Sequence, residues 1–553
     1  MHRKIVASAA FAATISLLAA CGASSPTAGA AAAHHTRAAN VTIDVEGNTL
    51  AGPISGGFNP FLPNEDAYSL GAVSMIYEPL LQFDILKPGT THPWLAKSAT
   101  WSDGGRTLTF TLRRGVKWSN GTPFTSADVV YTFELMKDNE TLDTNGISFT
   151  SVTAPTPSSV VMTFTSPGYS QFYAIAGQTF IVPKAAWSKV SDPGTFPDTS
   201  PVGTGPYVLD SLSPQAITLT KNPSYWQEGK PAVSRLVFPD YESNTTATAA
   251  LQSDQLTWGG NFISHIQQIW ANTPDHVFYS PPNNTVALWP NLRQFPTSNL
   301  AVRQAISLAL NRPQIAEEGE QGDEAPATSD TGLILPNDKQ YVRSATNTLP
   351  MNLKKAAKVM RKAGFTKKSG VWTSASGHPV TISVEDPASY SDYMAADQAI
   401  AQELTSFGIK TAVDGVSASA WSTDLASGHF DMTLRWGQTA ATPYGQFENW
   451  LDPSLIGGSA GNFEGFDDPA ATAALRAYAA AGDDQAAVRS AIDTLGHVVA
   501  TNLPIIPVMY GAAWGEYNSS EVTGFPSKSD PYDPAQPAAP SDEYVVLQLH
   551  PRR

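Results

Sequence analysis

Gly457-Gly458-Ser459-Ala460-Gly461 has the spacing of a nucleophile elbow, a strained turn that exposes a serine hydroxyl between a buried strand and a helix. Here Leu455-Ile456 is too short to be that strand, and Asn462-Phe463-Glu464-Gly465 reads as a turn, so a serine hydrolase is not expected. Gly203-Thr204-Gly205 opens like a dinucleotide loop, but Pro206 follows and no third glycine appears, which leaves a turn between strands. The 49 Asp and Glu residues offer many carboxylate pairs for glycoside hydrolysis, yet no spacing in sequence sets two of them about 5–10 Å apart across a sugar. The ten histidines are scattered and His-Glu-x-x-His is absent, so neither a built-in metal site nor a cofactor is expected. His34-His35 falls in a run of Ala, Ser, Gly, Thr and Pro and reads as part of a linker.

The single cysteine, Cys21, carries the strongest chemical signal. His2, Arg3 and Lys4 form a short basic region, Ile5 to Leu17 an apolar one too short for a comfortable membrane span, and Leu18-Ala19-Ala20 leads directly into Cys21. This arrangement resembles a bacterial lipobox, which implies a signal peptide at 1–20 and acylation of the Cys21 thiol. Residues 21–40 are then a flexible tether, and the membrane is reached through the lipid anchor alone. One cysteine permits no intramolecular disulfide.

The elements that follow belong to a large folded protein. At 553 residues the chain exceeds one hydrophobic core; 42% hydrophobic residues support packed cores, while 15% charged residues with 42 Pro and 41 Gly point to a loop-rich extracytoplasmic protein. The formal charge of −15 and the lack of a long basic block argue against nucleic acid. Thr107–Leu112 alternates polar and apolar residues as a half-buried strand; Thr125 with Asp128 forms a capping pair for a helix whose stripe is Val129, Val130, Phe133 and Met136. Asn299 caps another helix, ended by Pro313, and a third runs from Asn352 to Ala363 before Gly364. From Val380, strands and helices alternate (strand 380–385, helix 391–407, strand 409–413, helix 418–427, strand 430–436), which implies parallel βαβ units. A helical stretch over 471–500 precedes a strand at 503–510, so the chain returns to its first lobe at the C-terminus.

Several stretches together resemble one family. Trp101 to Trp118, then Asn120-Gly121-Thr122-Pro123-Phe124 to Val130, is similar to the signature of bacterial extracellular solute-binding proteins of family 5, the oligopeptide and dipeptide-binding lipoproteins of ABC importers. Asn59-Pro60-Phe61, Ile76-Tyr77-Glu78-Pro79-Leu80, Gly203 to Tyr207, Asn222-Pro223-Ser224-Tyr225-Trp226 and Val302 to Ile306 follow in the matching order. The resemblance implies an α/β, two-lobed periplasmic-binding-protein type II-like fold with an extra subdomain inserted in the first lobe and a hinge between lobes. Lobe I is then 41–82 with 203–288 and 505–553, the insert 83–202, and lobe II 289–504. It also implies a monomer that closes over a small solute and docks on permease transmembrane subunits, making and breaking no bond. A lipid-anchored hydrolase is the remote alternative.

Peptide-binding members typically place an aspartate after a Trp-rich strand of the second lobe. Here Leu434 to Pro443 holds no acid, and Glu448 is the candidate replacement. Other stretches resemble oligosaccharide-binding members, where flat aromatic faces meet sugar rings and amides meet hydroxyls. The candidate ligand-binding residues are Asn59, Trp258, Asn261, Trp289, Trp436, Gln438, Tyr444, Glu448 and Trp450. A short peptide is the expected solute and an oligosaccharide the alternative.

Overall fold

The computed structural model describes residues 41–553 apart from 51, 336, 342–348, 459, 539 and 553. The expected leader, Cys21 and the tether lie outside the described residues. Asn40–Arg553 forms one compact unit.

Two mixed sheets organise it. The first runs in the order His276–Phe278, Glu516–Asn518, Trp258–Gly259, Thr42–Glu46, Arg235–Pro239, Ala216–Lys221, Tyr207–Ser213, with Thr42–Glu46 parallel to both of its neighbours. The second runs Ala325–Pro326, Ile506–Ala512, Pro282–Pro290, Met432–Trp436, Thr381–Pro387, Lys410–Val416. In it Thr381–Pro387 pairs in parallel with Lys410–Val416 across the helix Ser391–Phe407, the βαβ unit read from the alternation.

The sheets correct two boundaries. Pro282–Pro290 pairs on both edges inside the second sheet, with Ile506–Ala512 and with Met432–Trp436. The chain therefore changes sheet at 279–281 and 513–515 rather than at the expected 288/289 and 504/505. These strands are largely buried on both faces, so no alternation marks where one sheet ends. The helical stretch over 471–500 is two helices, Pro469–Ala481 and Gln485–Asn502. Gly482, at φ 55°, ends the first, and the Asp484 carboxylate caps the second by accepting from Ala486 and Ala487 (3.0 and 3.1 Å).

Within 83–202 a four-stranded antiparallel sheet, Ala96–Ser102, Thr107–Leu112, Ser159–Thr163, Ser151–Thr156, packs with the helix Ser126–Asp138. That helix starts as its sequence dictates: the Thr125 hydroxyl accepts from Ala127, and the Asp128 carboxylate accepts from Thr125 N–H at 2.9 Å. Leu108, Phe110, Phe133 and Met162 share one core with Ile76, Tyr77 and Leu236, so this segment is fused to the first sheet's core.

The signature motifs hold one another. Gly205 and Tyr207 donate to the carbonyls of Ile76 and Met75 (2.9 and 3.0 Å), and a Cβ on Gly203 would sit 1.7 Å from the Ile76 carbonyl oxygen. Asn222 donates to the Gly205 carbonyl at 2.8 Å, and the Trp226 indole donates to buried Glu78 at 2.9 Å. Arg113 donates to Trp94 and Pro93 carbonyls, with its guanidinium 4.5 Å over the Trp226 ring. Among the described residues no helix is long and apolar enough to cross a membrane.

Candidate functional site

The helix Pro443–Leu451 shows how local sequence divides core from site. Phe447, Trp450 and Leu451 are buried in the core, while Tyr444, itself mostly buried, and Glu448, four residues apart, share one face. That face borders a cleft of about 680 Å³. Its second wall comes from the first sheet's side: Phe61, Tyr68, Asp143, Tyr173, Gln178 and Phe180. Gln438 and Thr442 complete the wall on the helix side. A smaller cavity of about 200 Å³ shares Tyr68, Tyr173 and Gln178 and extends to Asn283, on the strand where the chain has just crossed between sheets, and to Gln536. The cleft thus lies between two bodies joined by short connections, the geometry that hinge closure needs.

Its electrostatics are one-sided. Asp143, Glu448 and Asp452 line it, and among the described lining residues there is no Lys, Arg or His. Burial pushes Glu448 up to about 7; the Tyr444 hydroxyl opposes the rise and Asp452 adds to it. Burial also raises Asp143 and, with Glu448 beside it, Tyr444. Glu448 therefore changes charge near neutral pH in a cleft that offers a cation no competing partner.

Of the residues singled out from sequence, Gln438, Tyr444 and Glu448 come together at the cleft. The others are placed elsewhere. Asn59 is buried: its amide donates to the Pro193 and Phe196 carbonyls (2.9 and 2.8 Å) and its carbonyl accepts from Phe61 N–H at 3.0 Å, which pins a loop. Trp258 is fully buried against Phe525 and donates to the Ala535 carbonyl. Asn261 donates through its backbone to Glu516 (3.3 Å) and through its amide to Glu46 (3.4 Å). Trp289 is core, with its indole on the Arg435 carbonyl and its ring 5.7 Å from Phe463. Trp450 is core, fully buried against Phe447, Gly332 and Gly437. Trp436 is half-buried among Tyr390, Tyr393 and Trp421, with centroids 5.9–6.1 Å away, and does not line the cleft. Asp143, Gln178, Tyr68 and Tyr173 were not singled out; they sit in loops and short helical turns without periodicity, so no sequence signal marked them.

Ser459, of the elbow-like motif, lies outside the described residues; the segment before it is a single turn, Pro453–Leu455, not a strand. Among the described residues no cluster of three His, Cys, Asp or Glu is placed to hold a metal ion.

Two sheets bridged by short crossings, with a polar cleft between them, define a two-lobed solute-binding protein. Residues 90–457 match the profile described as bacterial extracellular solute-binding proteins, family 5 Middle. The chain belongs to this family, the extracytoplasmic solute-binding components of ABC importers, which are binding proteins rather than enzymes. It is 28% identical over 412 residues to the nickel-binding periplasmic protein of Escherichia coli K12, covering 72% of this chain and 76% of that one. It is 28% identical over 348 residues to the glutathione-binding protein GsiB of E. coli O6:K15:H31, covering 61% and 64%. A periplasmic oligopeptide-binding protein of Thermotoga maritima has the same fold (TM-score 0.86, 25% identity, 94% of this chain and 100% of that one). Its mannohexaose-bound structure also superposes (TM-score 0.81, 24% identity, 93% and 99%).

Proposed function

We propose that this protein captures a short peptide bearing a free amino group between its two lobes and delivers it to an ABC permease, as a monomer held outside the cytoplasm by acylated Cys21. The supporting observation is the cation-free cleft lined by Asp143, Glu448 and Asp452. A protonated amine entering it meets a carboxylate in a partly desolvated site, where a charge-assisted hydrogen bond is strongest. Glu448 then serves where the family's aspartate is missing after Trp436. Tyr444 orients it, and Gln438 and Gln178 offer amides to the peptide backbone from opposite walls.

Titration calorimetry with a tripeptide and its N-acetylated form tests this. The free amine should bind at least about tenfold more tightly, the equivalent of 1.4 kcal/mol. Affinity should rise as pH passes through about 7 and Glu448 ionises, and Glu448→Gln should flatten that profile. Equal affinity for both peptides removes the amine from the reading.

The alternative solute is an oligosaccharide. It is favoured by the likeness to the mannohexaose-bound protein and by Tyr68, Tyr173 and Tyr444 set beside two glutamines in the cleft. Against it, Trp258, Trp289 and Trp450, which had suggested sugar stacking, are core residues.

A further inference from the structure

Charge is unevenly spread over the chain. Acidic residues outnumber Lys and Arg by 49 to 34, yet from Lys339 to Val384 there are nine Lys or Arg and no Asp or Glu. Seven of these cations, Lys354, Lys355, Lys358, Arg361, Lys362, Lys367 and Lys368, are exposed on the helix Leu353–Lys362 and the strand Thr366–Lys368. The helix buries Ala356 and Met360 and packs on the helix Leu300–Ala309. None of the seven joins an ion pair among the described residues.

Exposed apolar side chains border the same pair of helices. The exposed large hydrophobic side chains of the described residues are Met351 (47%), Leu353 (45%), Phe295 (43%) and Leu300 (38%). Leu353 begins the cationic helix and Met351 lies two residues before it, beside the C-terminal end of the helix beneath, where Asn352 N–H donates to the Leu308 carbonyl at 2.7 Å. Leu300 begins that lower helix at its other end, and Phe295 lies five residues before it. A hollow of about 550 Å³ adjoins Leu353, with Phe365, Trp372 and Phe407 as its floor and Arg361 and Lys367 on its rim. The Lys367 ammonium stands 5.2 and 5.6 Å over the Trp372 and Phe407 rings.

We propose that this face docks the second lobe on an anionic phospholipid bilayer. Lysines around single apolar tips are the surface that binds at a charged headgroup layer, with cations on phosphates and apolar tips at the acyl boundary. The hollow, apolar below and cationic above, repeats that order. No residue of the face lines the cleft, so docking leaves solute capture free. The contact requires neither acylation of Cys21 nor any particular solute.

Residues 40–553 form the compact unit that holds every described element, and vesicle co-sedimentation of this unit tests the proposal. It should pellet with phosphatidylcholine vesicles containing about a third phosphatidylglycerol, stay in solution with phosphatidylcholine alone, and be released by high salt. Joint replacement of Lys354, Lys355, Lys358, Arg361 and Lys362 by Gln should weaken partitioning at least about tenfold. Met351→Ser with Leu353→Ser should weaken it less and leave the salt response in place. Equal partitioning to both vesicles, or an unchanged five-site variant, overturns the proposal. Retention on immobilised polyglutamate without vesicle binding also overturns it and makes an acidic protein surface the partner.

Discussion

Glu46 and Glu516 are both fully buried, and the Glu46 carboxyl is held up to about 8 by burial, opposed by the Gly260 N–H and the Asn261 amide. Glu516 is raised as well, by burial and then by Glu46. Unfolded, Glu46 titrates near 4.5; between that and about 8 the folded state keeps a proton that the unfolded state has lost. Stability therefore falls as pH rises through this window, by about 1.4 kcal/mol per pH unit for one proton, or about 3 kcal/mol between pH 5 and pH 7. Glu46→Gln keeps the shape, removes the titration, and supplies an amide that can donate to Glu516. Urea unfolding of both proteins at pH 5 and pH 7.5 measures the difference. The variant should be within about 1 kcal/mol of the parent at pH 5 and more stable by roughly 2–3 kcal/mol at pH 7.5. Parallel stability curves would refute a proton held at this pair. The same variant tests the placement of Asn261, whose backbone and amide donate to Glu516 and Glu46: solute affinity should be unchanged.

Trp450→Ala should cost about 3–5 kcal/mol in unfolding free energy, because the ring is fully buried against Gly332, Gly437 and Phe447. Gly203→Ala should give little soluble protein on expression, since its Cβ would meet backbone 1.7 Å away. Tyr444→Ala and Gln438→Ala should each weaken peptide binding by about 1–2 kcal/mol in calorimetry, with the Gln438 variant melting as the parent does because that side chain is exposed. Calorimetric affinities equal to the parent's would take both residues off the cleft's working face.

How much of this was legible in sequence divides by the reach of the interaction. The start of helix 126–138 could be read because Thr125 and Asp128, three positions apart, fix it, and local periodicity gives its stripe. The parallel unit 381–416 followed from strand–helix–strand alternation. The sheet changes at 279–281 and 513–515 could not be read, because strand membership depends on partners more than a hundred residues away. At the site, Tyr444 and Glu448 were named as candidates, but the helix that sets them on one face was not read. Trp258, Trp289 and Trp450 were misread because an aromatic ring suits a cleft and a core equally, and only packing decides. Asp143 and Gln178 carry no pattern at all; the fold alone brings them opposite Glu448.

The most direct test of the central claim is a thermal-shift series on the purified protein with di- to pentapeptides, their N-acetylated forms, and cello-, xylo- and malto-oligosaccharides. A ligand present at about 100 times its dissociation constant adds roughly 2.7 kcal/mol, which for a chain of this size is a shift of a few degrees. Stabilisation by free-amine peptides, lost on acetylation and reduced in Glu448→Gln, is the predicted result. Stabilisation by oligosaccharides alone, or a peptide shift unchanged in the Glu448 variant, would contradict it.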